Sequence, residues 1–495
     1  MGNLFVTKPL ETLLKESQET GEHSLRRALG PINLLTLGIG AIIGAGIFVI
    51  TGQAAAQFAG PAILFSFILA GIACAFAGLC YAEFASMIPV AGSAYTYSYA
   101  TLGELVAWII GWDLVLEYAF GAASVAVGWS GHLRAFMHDI GMALPPMPHS
   151  DFMLLGKPVH LTYDYVGFLV IWAITAILVI GIKESANFTA AVVVLKVAVV
   201  CTFIALATGF LLGHGWEPNY WHPFIPPNTG EFGSFGISGI FRGAGVVFFA
   251  YIGFDAVSTA AQEAKNPKKD MPFGILGSLV ICTILYILVS GLLTHLVPYN
   301  QLNVPDPVVV GMRATGQQWA TFLVELGALL GLATVMLVML LGQSRVFYSM
   351  SRDGLLWPWA SAIHPRFRTP YLSSIVVGFF VAILAMLLPL SILDQMTSVG
   401  TLLAFMLVSA GVWVMRRTHP HVGRPFRCPW VPAVPILAIV FSGALIVTLP
   451  RATQIRLVVW LLIGLVIYFS YGRKHSKVQA MRGAAAPERA PSMAD

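Results

Sequence analysis

The sequence predicts an all-α membrane protein of twelve transmembrane helices, built as two five-helix repeats of opposite orientation plus two extra helices. Three observations carry that prediction. The 495 residues are 57% hydrophobic and only 10% charged, against about 25% charged in a soluble domain. The apolar residues gather into runs of the roughly 20 residues that a helix needs to cross a bilayer. The first and sixth runs are interrupted at corresponding places, and in carriers made of two repeated halves such a pair marks the binding site.

In order, the runs lie near 31–53, 61–88, 102–137, 163–182, 187–212, 236–262, 272–297, 319–350, 371–389, 392–415, 431–449 and 454–472. The third and eighth exceed the bilayer thickness and are expected to tilt or project. Runs 1–5 (31–212) and runs 6–10 (236–415) are each about 180 residues long. Five crossings is an odd number, so the second copy enters from the opposite side and the repeat is inverted. Runs 11 and 12 (431–472) stand outside it. The stretch 31–472 reads as one transmembrane domain between a polar segment, 1–30, and a tail, 473–495. The tail from Ala480 lacks apolar periodicity and is expected to be disordered.

Lysine and arginine orient the chain. Lys8, Lys15, Arg26 and Arg27 precede run 1, and Lys265, Lys268 and Lys269 follow run 6. Arg345, Arg352, Arg366 and Arg368 follow run 8, Arg416, Arg417, Arg424 and Arg427 follow run 10, and Arg473, Lys474 and Lys477 open the tail. The opposite loops hold mainly Arg134, Lys157, Arg313, Arg451 and Arg456. Both termini are therefore expected on the cytoplasmic side of the cell membrane. The glycosylation pattern Asn187-Phe188-Thr189 then falls on the wrong side and is discounted. The first run is full length and follows 28 polar residues, so no cleavable signal peptide is expected. A net charge of +5 spread over loops is no nucleic-acid-binding patch. Four of the five cysteines (Cys74, Cys80, Cys201, Cys282 and Cys428) lie in apolar runs without a CxxC pair, so neither disulfides nor a metal site are expected.

The two interruptions are the candidate site. In run 1 it is Gly44-Ala45-Gly46, small enough for a ligand to approach the backbone, with a new half-helix beginning near Ile47. The first N–H groups of that half-helix lack partners at a positive dipole end, where a carboxylate fits. In run 6 a half-helix ends near Phe249 or Ala250 with orphan carbonyls, where an ammonium fits. One zwitterion satisfies both, and an α-amino acid is the economical choice. The competing reading is packing, since Gly40-x-x-x-Gly44 is also a helix-association motif. A second break in the matching place tips the balance toward a site.

These residues resemble a known family, the amino acid–polyamine–organocation transporters, and most closely its bacterial cationic amino acid transporter branch. The resemblance rests on Gly38-x-Gly40-Ala41-x-Ile43-Gly44-Ala45-Gly46-Ile47-Phe48, on Tyr81-Ala82-Glu83-Phe84, and on Pro89-x-Ala91-Gly92-Ser93-Ala94-Tyr95-x-Tyr97. It continues through Phe249-Ala250-Tyr251-Ile252-Gly253-Phe254-Asp255-Ala256, Glu263-Ala264-Lys265-Asn266-Pro267, Gln343-Ser344-Arg345 and Met350-Ser351-Arg352-Asp353-Gly354. It implies the five-plus-five (LeuT-like) fold and a proton-linked or exchange-type amino acid carrier. It also implies that the backbone of Ile43, Gly44, Ala45, Gly46 and Ile47 holds the carboxylate, and that the carbonyls of Phe249, Ala250 and Ile252 hold the amine.

Ionisable residues in the runs are the remaining candidates. Lys196 lies in Val192-Val193-Val194-Leu195-Lys196-Val197-Ala198-Val199-Val200, near mid-membrane, where an unpaired charge costs several kcal/mol. By the resemblance, a lysine on this helix stands where sodium-coupled relatives bind sodium, so Lys196 is expected to contact the first break and to couple transport to protons. The alternative is a structural lysine with a fixed partner. Asp113 and Glu117 share a helix face, Glu117 as a gate or relay and Asp113 as a hydrogen-bonded packing residue. Asp255 follows the second break and is expected to hold it. Glu325 is a weaker candidate and Glu83 a structural one; any of these carboxylates can be drawn as the partner of Lys196. Phe249 and Phe254 are candidate covers for the substrate, whereas Met336 and Met339 read as core packing. Among the histidines, His295 reads as the nearest to a buried one.

The leading reading is a secondary transporter of L-amino acids, with protons and the bilayer as its other partners and no cofactor. An exchanger, a sodium-independent facilitator and a non-transporting receptor are the alternatives. A membrane enzyme lacks support, since there is no HExxH, GxSxG or cluster of metal ligands.

Overall fold

A lipid core offers no water to backbone N–H and C=O groups, so long uncharged runs must satisfy them internally, as helix. The computed structural model describes residues 4–9, 13, 29–90, 92–154, 157–180, 186–215, 218–367 and 369–480. Lys15, Arg26, Arg27, Arg368 and the tail beyond 480 lie outside the described residues. Run 1 forms α1 (Pro31–Ile42) and, after a break, α2 (46–59), and run 2 forms α3 (Ile63–Met87). Then come α4 (Ser93–Thr101), α5 (104–139), α6 (Tyr165–Ile180) and α7 (Ala186–His214). Run 6 forms α8 (Gly236–Val247), a 3-10 turn (Phe248–Tyr251) and the short α9 (Ala256–Thr259). The chain ends in α10 (Pro267–Leu296), α11 (Pro307–Ala314), α12 (Gln318–Arg352), α13 (Tyr371–Leu387), α14 (Leu390–Thr418), α15 (Ala433–Thr448) and α16 (451–475).

Among the described residues, eight helical segments are long and apolar enough to cross a membrane. The first, Pro31–Met87, contains α1, α2 and α3 in its 57 residues. Three shorter apolar helices, α6, α13 and α15, complete the set. Two helices arise where sequence alone reads loop. One is α4, held between Gly92 at φ 151° and Gly103 at φ 94°; the other is α11. The all-α expectation also misses one hairpin, β1 (His149–Leu154) and β2 (Lys157–Thr162), which pair antiparallel from His149 opposite Thr162 to Leu154 opposite Lys157. Its strands are too short and too far from the apolar runs to stand out by periodicity.

The helices sort into two packed groups. In one, α10 lies along both α1 and α3, and α3 packs on α8. In the other, α12 lies along α5 and α13 along α6, with α5 touching α6 and α12 touching α13. Helix α7 bridges them, contacting α1, α10 and α12. Helix α16 is tied to α5 by tryptophans. Trp112 and Trp460 stack at 4.7 Å, and each indole donates to the other's carbonyl, at 2.8 and 3.2 Å. Trp108 stacks on Trp112 and donates to Gly464 O at 2.9 Å.

Candidate functional site

In the first break, α1 stops at Ile42 and Ile43 turns extended (φ −73°, ψ 100°). The new helix starts at Gly46, one residue earlier than the sequence suggests. Its first amide outside the regular ladder to reach back four residues is Phe48, onto Gly44 O at 3.3 Å, so the amides of 44–47 come before the ladder. They form a positive helix end at the middle of an apolar segment. In the second break, α8 tightens into 3-10 geometry through Tyr251. Ile252 is then extended (ψ 135°) and Gly253 has φ 117°. Only glycine takes that φ without strain, and a Cβ there would also lie 2.8 Å from the Ala41 carbonyl. The Phe249 carbonyl accepts from Ile252 N at 3.2 Å.

The two breaks touch. A side chain on Gly46 would overlap Ala250 Cα and Cβ, and Gly44 faces Val335 of α12. Gly38 abuts Ser278 and Gly40 abuts Val193, so the glycines of the first run both pack closely and flank an interruption. Val335 is the α12 side chain at this level, while Met336 and Met339 are buried, Met339 facing Gly121. Ile47 and Phe48 pack against Val199, Val200, Phe203, Val289, Val308 and Val324, and the gap between them is too narrow to hold a water molecule.

Two side chains serve the exposed carbonyl ends. Lys196 is 1% exposed, and its Nζ donates to Gly40 O at 2.8 Å and Ile43 O at 3.3 Å. Among the described residues no carboxylate lies within ion-pair distance of it, so its partners are backbone rather than acid. Tyr286 of α10 is fully buried, and its hydroxyl lies 2.8 Å from Ile42 O and 2.9 Å from Ala250 O, its single proton shared between the two carbonyls. Sequence reading misses Tyr286. The available signal is a phenol at membrane depth, whose O–H must find an acceptor.

On the side of the breaks nearer the termini lies a buried polar cluster. Glu117 sits in a π-helical turn, Leu116–Phe120, a feature that recurs at functional sites. Its nearest charged neighbours are Asp255 and Asp113, and Thr401 lies beside it. Tyr118 donates to Asp255 Oδ2 at 3.0 Å. Glu117 and Asp255 face one another at hydrogen-bond reach, and both polar atoms of Gln343 are buried without a hydrogen-bond partner among the described residues. Asp113, expected to be hydrogen bonded, also leaves both oxygens unpartnered, because it faces the bare backbone of Gly400.

The other acids are structural. Glu83 accepts Arg416 Nε at 2.9 Å and Nη2 at 2.7 Å, lies 3.2 Å from Arg424, and accepts Cys428 N at 2.8 Å. Glu325 pairs with Arg313 at 2.7 Å, which also binds Asp139 at 2.7 Å. Phe254 is buried against Tyr81 and Phe405, and Phe249 is 4% exposed. Among the described residues, the most buried histidine is His132 rather than His295. It is fully enclosed in α5, one helical turn beyond Gly128, edge-on to Phe48.

The amino acid permease family matches residues 29–470. The chain is 47% identical to the branched-chain amino acid permease BcaP of Bacillus subtilis (strain 168), over 96% of this chain and 99% of that one. It is 43% identical to the methylthioribose transporter of the same organism, with the same coverage. It is 33% identical to the vacuolar cationic amino acid transporter 4 of Arabidopsis thaliana, over 92% of this chain and 93% of that one.

Proposed function

This chain belongs to the amino acid permease family of multi-pass membrane transport proteins, not enzymes, and from that premise we propose that it is a proton-coupled secondary transporter of L-amino acids working by alternating access. The observation that carries the reading is the contact between a helix start and a helix end, both at membrane depth. The amides of Gly44, Ala45, Gly46 and Ile47 present hydrogen-bond donors; the carbonyls of Phe249, Ala250 and Ile252 present acceptors. A zwitterion between them joins its carboxylate to the first and its ammonium to the second. Gly46 must move off Ala250 to admit it, which makes binding a conformational event.

The substrate side chain is neutral in this reading. Val335 stands at the break and Ile47 beside it, and a 47% identical relative is named for branched-chain amino acids. L-leucine is therefore the first substrate to test. Proton coupling is assigned to Lys196. Its ammonium ties the end of α1 to α7, and the neutral amine releases it. Glu117 and Asp255 gate the path toward the termini. The chain crosses twelve times with both termini cytoplasmic, Pro31–Met87 contributing two crossings and α6, α13 and α15 one each. The group α1, α3, α8 and α10 rocks against α5, α6, α12 and α13.

The test is uptake into proteoliposomes across a panel of amino acids, with pH and sodium gradients imposed separately. Leucine uptake driven by an inward proton gradient is the expected result. Lys196→Met is expected to remove the pH dependence; pH dependence that survives the substitution removes the lysine from the coupling.

A further inference from the structure

The carbonyls left open where α1 and α8 end are the negative poles of two half-helices. In carriers with broken helices, such ends together with unwound carbonyls coordinate the coupling cation. Four carbonyls are engaged here by side-chain donors: Gly40 and Ile43 by Lys196, and Ile42 and Ala250 by Tyr286. The second pair is the more informative. Ile42 and Ala250 belong to different helices, yet a single hydroxyl lies within 2.9 Å of both oxygens. The phenol is held there from behind, its ring 5.5 Å from both Phe67 and Tyr251, and the Tyr251 hydroxyl is itself spent on Phe67 O at 2.8 Å. Cys282, one turn before Tyr286 on α10, and Ser278, one turn earlier again against Gly38, keep this face of α10 along α1.

We infer that Tyr286 is a positioning residue whose hydroxyl takes the place of a monovalent cation between the two broken helices, pinning Ile42 to Ala250 and leaving that position closed to sodium. The inference rests on the reading of the breaks as the substrate site. It adds that Ala250 O meets the substrate amine while sharing the phenol's one proton with Ile42 O, which fixes its direction. The residue touches both broken ends and neither reacts, so its effect is on geometry and on ion selectivity.

The experiment uses the purified full chain in detergent and in proteoliposomes. Its melting temperature is compared in sodium chloride and in choline chloride of equal ionic strength, for the wild type, Tyr286→Phe and Tyr286→Asn. The wild type and Tyr286→Phe are expected to melt at the same temperature in both salts, the ring filling the space in each. Tyr286→Asn opens the position and supplies an oxygen ligand, and is expected to melt about 2 °C or more higher in sodium. For L-leucine uptake, Tyr286→Phe is expected to raise KM about tenfold with a smaller change in kcat, since two helix ends lose their shared donor. Sodium stabilisation of the wild type overturns the inference. So does a Tyr286→Asn variant indifferent to sodium, or a Tyr286→Phe variant with unaltered KM. Wild-type protein that takes up no amino acid strikes the proposed function instead, and the melting comparison still decides the role of Tyr286.

Discussion

At the scale of single residues, the decisive distinction is between buried charge with a full set of partners and buried charge without one. Glu83, 1% exposed, has two arginines and a backbone amide around it. Glu83→Ala would strand Arg416 and Arg424, and breaking such a buried pair costs about 3–5 kcal/mol. The expected outcome is a large drop in melting temperature with an unaltered KM in whatever protein survives. Lys196 is legible in the sequence because a lysine among valines has no ordinary explanation. Its partners are not legible, because backbone carbonyls carry no residue label. Tyr286 is invisible for the opposite reason, a tyrosine in an apolar helix being ordinary until its oxygen is located. Gly46 is visible as part of a glycine string, but only the fold shows that it faces Ala250 Cα. Gly46→Val is expected to abolish leucine binding while the protein still inserts, measured by equilibrium binding in detergent.

At the scale of elements, apolar length locates most of the helices, and glycine locates the two breaks to within a residue or two. The π-helical turn at Leu116–Phe120 has no signal in the apolar pattern, and it lies where α5 meets α14. Helix α11 carries no clear period in the sequence, because eight residues are too few for one. Its position is set by Arg313, which gathers Asp139 and Glu325 from the ends of α5 and α12. Arg313→Ala leaves the buried Glu325 facing Asp139 with no cation between them. With Arg313 39% exposed, the expected cost is about 1–2 kcal/mol after solvent screening, and it should shrink as salt is raised in a denaturation series.

At the scale of the whole molecule, the two packed groups meet across the breaks, and each face of the protein is held shut by its own ties. On the face bearing the termini, Ser258 donates to Ser93, Arg345 lies 3.5 Å from Glu263, and Lys8 pairs with Asp353 at 3.0 Å. On the other face α11 covers α2, Pro307 filling the space beside Gly52. Neither grouping can be read from a linear sequence, because α10 pairs with α1 across more than two hundred residues. If the groups part during transport, joining them must stop it. A Cβ on Gly44 would lie 3.6 Å from that of Val335, within disulfide reach. The double variant Gly44→Cys and Val335→Cys, its uptake already lowered by a side chain at the carboxylate site, is expected to lose the remainder when oxidised and to regain it with a reductant; residual uptake indifferent to the oxidant would place the moving boundary elsewhere. The tryptophans that fasten α16 to α5 have a further use. Three indoles in near-parallel contact should couple excitonically, and two of them lie on α5, which the proposed rocking leaves in place. Their near-ultraviolet circular dichroism is thus a built-in optical standard. It should hold constant through substrate titration and fade only as the protein melts, so that any emission change elsewhere in the chain is read against it.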